Sequence, residues 1–321
     1  MLILATIVFY VSLAVGLLTI YSMTTRSELT LGSKASIVFV TLASGSWIVC
    51  GGLLVASIVT ASISGFAGSL DGLGYSFVLF LDIVAILAIT FKQQPRILQT
   101  DKKPLIITTV NVLLTNKDKG FRIGEELKTI DPDIVIVQEY DANIGYGMSS
   151  FLDNYMYCFI AEDGEDGIPD VAIFSKHELF DKRFVYIENR PVLLADIEYE
   201  YKPVTIGAVH TKSPTDPERT TVWLEELRYF RIAFQMNQPV IIGGDFNATI
   251  SHGPFRDVLT EAHLTDLTSG LNTWSSHDGI PEYLHLDHIL ASPDWVLTEK
   301  ATKSLGLGSD HTPVTVKVVI P

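Results

Sequence analysis

Three long hydrophobic stretches fill most of the first hundred residues and constrain this chain more than any motif does. Leu2–Met23 holds 22 uncharged residues, Ala35–Ile63 holds 29, and Leu73–Phe91 runs 19 with Asp82 as its single charge. A bilayer core about 30 Å thick takes roughly 20 helical residues, so each stretch is long enough to span. A secretory signal is the competing reading for the first. It lacks a basic leading region and a small-residue cleavage site, and two further spans follow it. Buried core helices are the other alternative, and they rarely come as three such runs with so little charge between them. The expectation is three transmembrane helices. Asp82 would then be an intramembrane carboxylate, costly in lipid, facing the other helices.

Charge separates the chain into two parts. Residues 1–100 carry Arg26, Lys34, Lys92 and Arg96 against Glu28, Asp71 and Asp82, a net of +1, while the whole chain is −14, which leaves −15 for residues 101–321. We therefore expect a membrane region with its linker over 1–100 and a catalytic domain over 101–321. Lys and Arg follow the first stretch (Arg26, Lys34) and the third (Lys92, Arg96, Lys102, Lys103), but not the second. The positive-inside rule then places the large domain in the cytoplasm, at a multi-pass cell membrane. An acidic domain disfavours tight, non-specific nucleic-acid binding, which needs a basic face. Cys50 and Cys158 are too few and too far apart for a disulfide framework or a zinc site.

After a polar stretch at Gln93–Lys103, β-rich runs alternate with amphipathic ones. Strands are expected at Leu105–Val112, Ile134–Gln138, Val171–Phe174, Val192–Ile197, Val204–Val209, Val240–Ile242, Leu286–Leu290 and Val314–Ile320. Helices are expected at Phe121–Ile130, Glu218–Met236 and Pro254–Ala262. Many strands with few long helices suggest an α/β fold of two packed sheets flanked by helices.

Chemistry-bearing residues recur where apolar runs end. Asn111 lies in TTVNV, Glu139 follows IVIVQ, and His210 follows TIGAV. Asp245 and Asn247 follow PVIIGG, Asp287 lies in LHLDHIL, and Asp310 and His311 lie in GSDHTPV. Strand ends converging on one sheet edge would build a pocket of carboxylates, amides and imidazoles. That donor set suits a hard cation such as Mg²⁺, with Mn²⁺ as an alternative, and suits zinc poorly. Alternation along the strand puts His288 on the face opposite Asp287. His177, His252, His263, His277 and His285 read as ordinary surface or loop residues. Arg219, Arg228 and Arg231 read as the solvated face of a helix, and Trp274 as packing or substrate lining. Asn247-Ala248-Thr249 is also a glycosylation sequon, a use that a pocket asparagine disfavours.

The set TVN, QE, VH, GGDFNA, LDHI and SDHTPV resembles the endonuclease/exonuclease/phosphatase superfamily, with its deoxyribonuclease I-like fold. The likeness covers roughly residues 104–320, and together with the N-terminal stretches it is similar to a membrane-anchored bacterial-type member. The resemblance implies a four-layer α/β sandwich, two mixed sheets inside and helices outside, preceded by the three transmembrane helices. It implies a metal held by Glu139 with Asn111, and Asp310 near the metal or supporting His311. Asp287 would orient the His311 imidazole. Asp245, assisted by Asn247, would position or deprotonate the attacking water, and His210 would donate to the phosphate or leaving oxygen. Whether Asp245 or His311 is the base stays open. DVAIFSK resembles a family strand in which glycine is common at the place of Asp170, and Asp170 is given no role.

The implied activity is divalent-metal-dependent phosphoester hydrolysis. The anchor and the acidic domain favour a phosphodiesterase acting on a phospholipid headgroup or a small phosphodiester. The alternatives are a membrane-bound endonuclease or exonuclease, and a non-catalytic membrane scaffold with a relic domain.

Overall fold

The computed structural model describes residues 2–24, 46–67, 79–84, 95–161, 170–187, 190–275, 281–305 and 308–321. They fall into two compact units: 1–92 with 214–221 and 249–257, and 93–213 with 222–248 and 258–321.

In the first unit, helix α1 (Leu2–Thr24) and helix α2 (Ser46–Ala67) carry no charged residue. They pack through Phe9, Cys50, Leu53 and Ala56, with Leu79 of a helical segment at 79–84. Asp82, on that segment, is buried. Among the described residues no helix is long and apolar enough to cross a membrane. The described side chains of α1 run only from residue 7 to residue 21. The start of Ala35–Ile63 and most of Leu73–Phe91 lie outside the described residues.

The second unit is built on two mixed sheets. One orders its strands β11 (Val296–Leu297), β13 (Val314–Val319), β1 (Leu105–Asn111), β2 (Ile134–Gln138), β4 (Val171–Ser175), β3 (Tyr157–Ile160), with β12 (Thr302–Lys303) also on β13. The other runs β5 (Phe180–Ile187), β6 (Arg190–Tyr199), β7 (Lys202–His210), β8 (Val240–Asp245), β10 (Asp287–Ala291), β9 (Thr265–Asp266). The β1–β2 and β7–β8 pairs are parallel, and the other pairings are antiparallel.

Alternation of side chains builds the layers. In β2, Ile134 and Ile136 join Ile107, Ile173, Ile206, Ile241 and Ile289 in the core between the sheets. Val135 and Val137 point the other way, onto Ile123 and Leu127 of α3 (Phe121–Ile130) and onto Ile144 and Phe151 of α4 (Ala142–Gly147) and α5 (Ser149–Leu152). A strand buried on both faces reads as an unbroken apolar run, as IVIV does here.

Most expected elements are present with ends shifted by a few residues, as for α6 (Pro217–Ala233) and α7 (Gly253–Glu261). Strands β3 and β5 were not expected. Both are edge strands with mixed burial, so neither shows a clean apolar period. The polar stretch read as a linker is partly tied down, since Ile97 bridges Leu297 and Leu98 N–H donates to the Leu297 carbonyl at 2.8 Å.

Two glycines fix how β8 sits. A Cβ on Gly243 would lie 2.6 Å from Ile136 Cδ1 across the core, so the sheets close up only because it is absent. Gly244 has φ +154°, and a Cβ there would collide with the Val209 carbonyl oxygen of the neighbouring strand. A Gly244→Ala variant combines backbone strain with overpacking, and denaturant unfolding should show it less stable by about 3 kcal/mol.

Candidate active site

Strand register assembles the centre of the site. His210 is paired with Asp245 across β7–β8, and Asp287 with Asp245 across β8–β10. Three chemistry-bearing residues therefore lie side by side on adjacent strands. On the other sheet, Asn111 ends β1 opposite Gln138, and Glu139 follows directly.

Glu139 has φ +56° and Asn247 φ +46°. Both lie in the left-handed region that non-glycine residues rarely adopt, at about 1–3 kcal/mol each. Leaving the ladder this way, the Glu139 carboxylate accepts the Leu114 N–H at 2.8 Å and the Asn111 amide at 3.0 Å. The same Asn111 nitrogen donates to Asp245 Oδ2 at 3.1 Å. Asn111 is thus a bridge between carboxylates from the two sheets, while its amide oxygen accepts the Leu113 N–H. The Asn247 backbone N–H donates to Asp245 Oδ1 at 2.8 Å, and its side-chain amide donates to the Thr211 carbonyl.

His311 lies between two acids. Its Nδ1 is 2.7 Å from Asp287 Oδ2 and its Nε2 3.6 Å from Asp245 Oδ2. Burial alone would lower this imidazole; Asp287 and Asp245 reverse that and carry it up to about 10. Burial pushes the Asp245 carboxyl up, against the pull of His311 and His210. Asp245, Asp287, His311 and Asn111 form a buried floor, and Glu139, His210, Asn247 and Asp310 a partly exposed rim.

All eight expected residues thus lie in one unit, at adjoining strand ends or the loops that follow them. Asp170, given no role from sequence, is a correction. Its Oδ1 is 2.7 Å from His210 Nδ1, and its Oδ2 accepts the Arg190 guanidinium at 2.6 Å. Burial opposes the charge on both partners of this dyad. The ion pair wins: Asp170 lies below its usual range and His210 above its own. Arg190 and buried Glu226 were not anticipated either. Trp274 donates its indole N–H to Asp310 Oδ2 at 2.9 Å.

Among the described histidines two differ from their sequence reading, and His277 lies outside the described residues. His252 and His285 are buried rather than on the surface, and burial with the nearby His288 lowers His285 to about 4. His288 is fully buried behind β10, as alternation requires. It donates from Nδ1 to Asp266 at 2.9 Å and from Nε2 to the Ala248 carbonyl at 2.8 Å, so it is a cation.

Among the described residues, two groups have the ligand types and closeness to hold a metal: Asp245, Asp287 and His311, and Asp266, His285 and His288. In both, a protonated imidazole already joins the carboxylates, as the His311 and His288 contacts above describe. Glu139 and Asp310 are the better acids for a hard cation. Asp310 Oδ1 is buried and has no hydrogen-bond partner among the described residues, as is also true of Asp287 Oδ1. A carboxylate oxygen with no donor is a ligand of the type that a divalent cation takes.

Residues 108–311 match the Endonuclease/Exonuclease/phosphatase family. The chain belongs to that family. Members of the endonuclease/exonuclease/phosphatase family are phosphoester hydrolases that typically use a divalent metal. Solved structures share the fold. An endonuclease/exonuclease/phosphatase from Beutenbergia cavernae is 18% identical with a TM-score of 0.56, covering 68% of this chain and 72% of that one. A mannosyl-6-phosphatase from Bacteroides thetaiotaomicron is 16% identical with a TM-score of 0.55, over 67% and 99%. Humanized D. rerio TDP2 is 16% identical with a TM-score of 0.56, over 68% and 100%. At these identities the likeness establishes the fold alone. No curated protein matches the chain.

The His311 assignment has a direct check. In metal-free protein, Asp287→Asn removes the nearer of its two carboxylates. The His311 ring should then titrate lower by about 1–3 units in an NMR pH series; an unchanged midpoint would mean that Asp287 does not set its charge.

Proposed function

We propose that this chain is a membrane-anchored, divalent-metal-dependent phosphoester hydrolase, a phosphodiesterase acting on a lipid headgroup or small phosphodiester. One observation carries the reaction class: His210, Asp245 and Asp287 stand in register on adjacent strands, with the His311 imidazole between the last two.

Hydrolysis of a phosphodiester adds charge to an anionic centre, so donors aimed at that charge are the main requirement. Glu139 and Asp310, with Asn111 beside them, would hold Mg²⁺ or Mn²⁺. When bound, the cation supplies charge neutralisation and polarisation of a phosphoryl oxygen. Asp245 is the base that positions and deprotonates the attacking water. Its Oδ1 is fixed by the Asn247 N–H and its Oδ2 by Asn111. His311, carrying its proton through the neutral range, serves as a donor to the phosphoryl oxygens, and Asp287 keeps its ring in place. His210, turned by Asp170, presents Nε2 as the proton donor to the leaving oxygen.

The three hydrophobic N-terminal stretches support the anchor, and a tether raises the effective concentration of headgroups near the pocket. Their flanking Lys and Arg favour a cytoplasmic catalytic unit. A reporter fused after Pro321 should be active only when its own activity requires the cytoplasm; the opposite pattern would reverse the topology.

The full chain with Mg²⁺ should hydrolyse bis(4-nitrophenyl) phosphate, and EDTA should abolish the activity. Glu139→Ala and His311→Ala should each cut kcat/KM by about 10²-fold or more with little change in melting temperature. Wild-type rates in both variants would place the site elsewhere. A panel of phospholipids, inositol phosphates, DNA and RNA decides the substrate, and preference for DNA or RNA would favour a membrane-bound nuclease.

A further inference from the structure

Helix α6 carries a carboxylate among buried residues that are otherwise apolar, apart from Thr220. Trp223, Glu226, Leu227 and Phe230 are all buried, at spacings of three, four and seven from Trp223. Trp223 donates its indole N–H to the Phe246 carbonyl at 3.0 Å, the residue between Asp245 and Asn247. Glu226 Oε2 accepts the Lys212 N–H at 2.7 Å, two residues beyond His210. Its Oε1 lies 3.5 Å from Arg190 Nε. Arg190 in turn donates Nε to the His210 carbonyl at 2.9 Å and a terminal nitrogen to Asp170 Oδ2 at 2.6 Å. Asp170 closes the series on His210 Nδ1.

Helix α6, strands β6 and β7 and the residue before β4 thus contribute one residue each to a largely buried series, Glu226–Arg190–Asp170–His210. A buried ion pair is weak evidence for stability, because packed apolar side chains of the same volume often serve the fold as well or better. The cost is visible at Glu226: burial lifts its carboxyl to about 7 despite the Lys212 N–H and the Arg190 guanidinium. A group held at such cost, whose partners all lead to one imidazole, is a candidate for function. The charged groups around it are Arg190, Asp170 and His210.

We propose that Glu226 is a positioning residue for His210, acting through Arg190 and Asp170 to aim the ring at the leaving oxygen. This rests on the assignment of His210 as proton donor made above. A donor matters when the leaving oxygen is strongly basic and little when it leaves readily as an anion. The full chain with Mg²⁺ is therefore assayed on diphenyl phosphate, a poor leaving group, and bis(4-nitrophenyl) phosphate, a good one. Glu226→Gln keeps an oxygen for the Lys212 N–H and loses the charge. It should cut kcat/KM on the phenyl ester by about tenfold or more and on the nitrophenyl ester by less than about threefold. His210→Asn should show the same pattern more strongly.

Equal losses on both esters in Glu226→Gln, with His210→Asn still discriminating, overturn the role of Glu226 alone. Equal losses in His210→Asn overturn the donor assignment beneath it. If Glu226→Gln does not fold, Arg190→Lys takes its place, since it keeps the charge and loses the fork; an equal loss there overturns the proposal. A readout independent of turnover is the downfield Nδ1 proton of His210, bonded to Asp170. Glu226→Gln should shift or broaden it in metal-free protein, and an unchanged resonance overturns the proposal even if the wild-type chain hydrolyses neither ester.

Discussion

Backbone pairing between β7, β8 and β10 fixes the centre of the site. The ladder sets His210, Asp245 and Asp287 opposite one another, and Asp245, at its middle, is the acid that the rest of the pocket touches. Asn111 reaches it from the other sheet, Asn247 from its own loop, and His311 from the segment before β13. The close approach that allows this depends on Gly243 and Gly244, where any side chain would meet Ile136 or the Val209 carbonyl. The GGD run is therefore a packing requirement as much as a chemical one: Gly243 lets the two sheets approach, Gly244 lets β8 lie against β7, and the aspartate uses the proximity.

Charge in this pocket is organised by proton sharing. His311 is held as a cation by Asp287 and Asp245, and His210 is bonded through Nδ1 to Asp170, whose charge raises it against burial. His288, behind the strand, is held by Asp266 and the Ala248 carbonyl. Each imidazolium offsets buried carboxylates that would otherwise repel one another at close range. The carboxylate oxygens left without a donor among the described residues are Asp287 Oδ1 and Asp310 Oδ1.

Much of this was legible from sequence because the fold writes its functional residues at the ends of apolar runs. IVIVQE and PVIIGGD show both the strand and its terminus, and a strand end is where a side chain can be rigid and still reach solvent. The long helices were legible from their 3.6-residue period. Residues whose partners are remote in sequence were not. Asp170 stands 40 positions from His210, and Arg190 stands 36 from Glu226; no local pattern links them. Glu226 did leave a trace, as a lone acid inside the apolar stripe of α6. The edge strands β3 and β5 were missed because half-wet, uneven burial erases the period of two. His285 and His252 were misread because a histidine in a polar segment looks the same whether the segment folds over it or not.

Asp287 and His288 are neighbours on β10 with opposite duties, the acid turned into the pocket and the imidazolium sealed behind the sheet. A shift of one residue in the pairing of β10 exchanges them. It would seal the acid in the core and leave the cation of His288 without Asp266. There is no graded intermediate between the two arrangements. The pairing of β10 with β8 and β9 therefore fixes both side chains at once, so the pocket and its backing are either both in place or both lost.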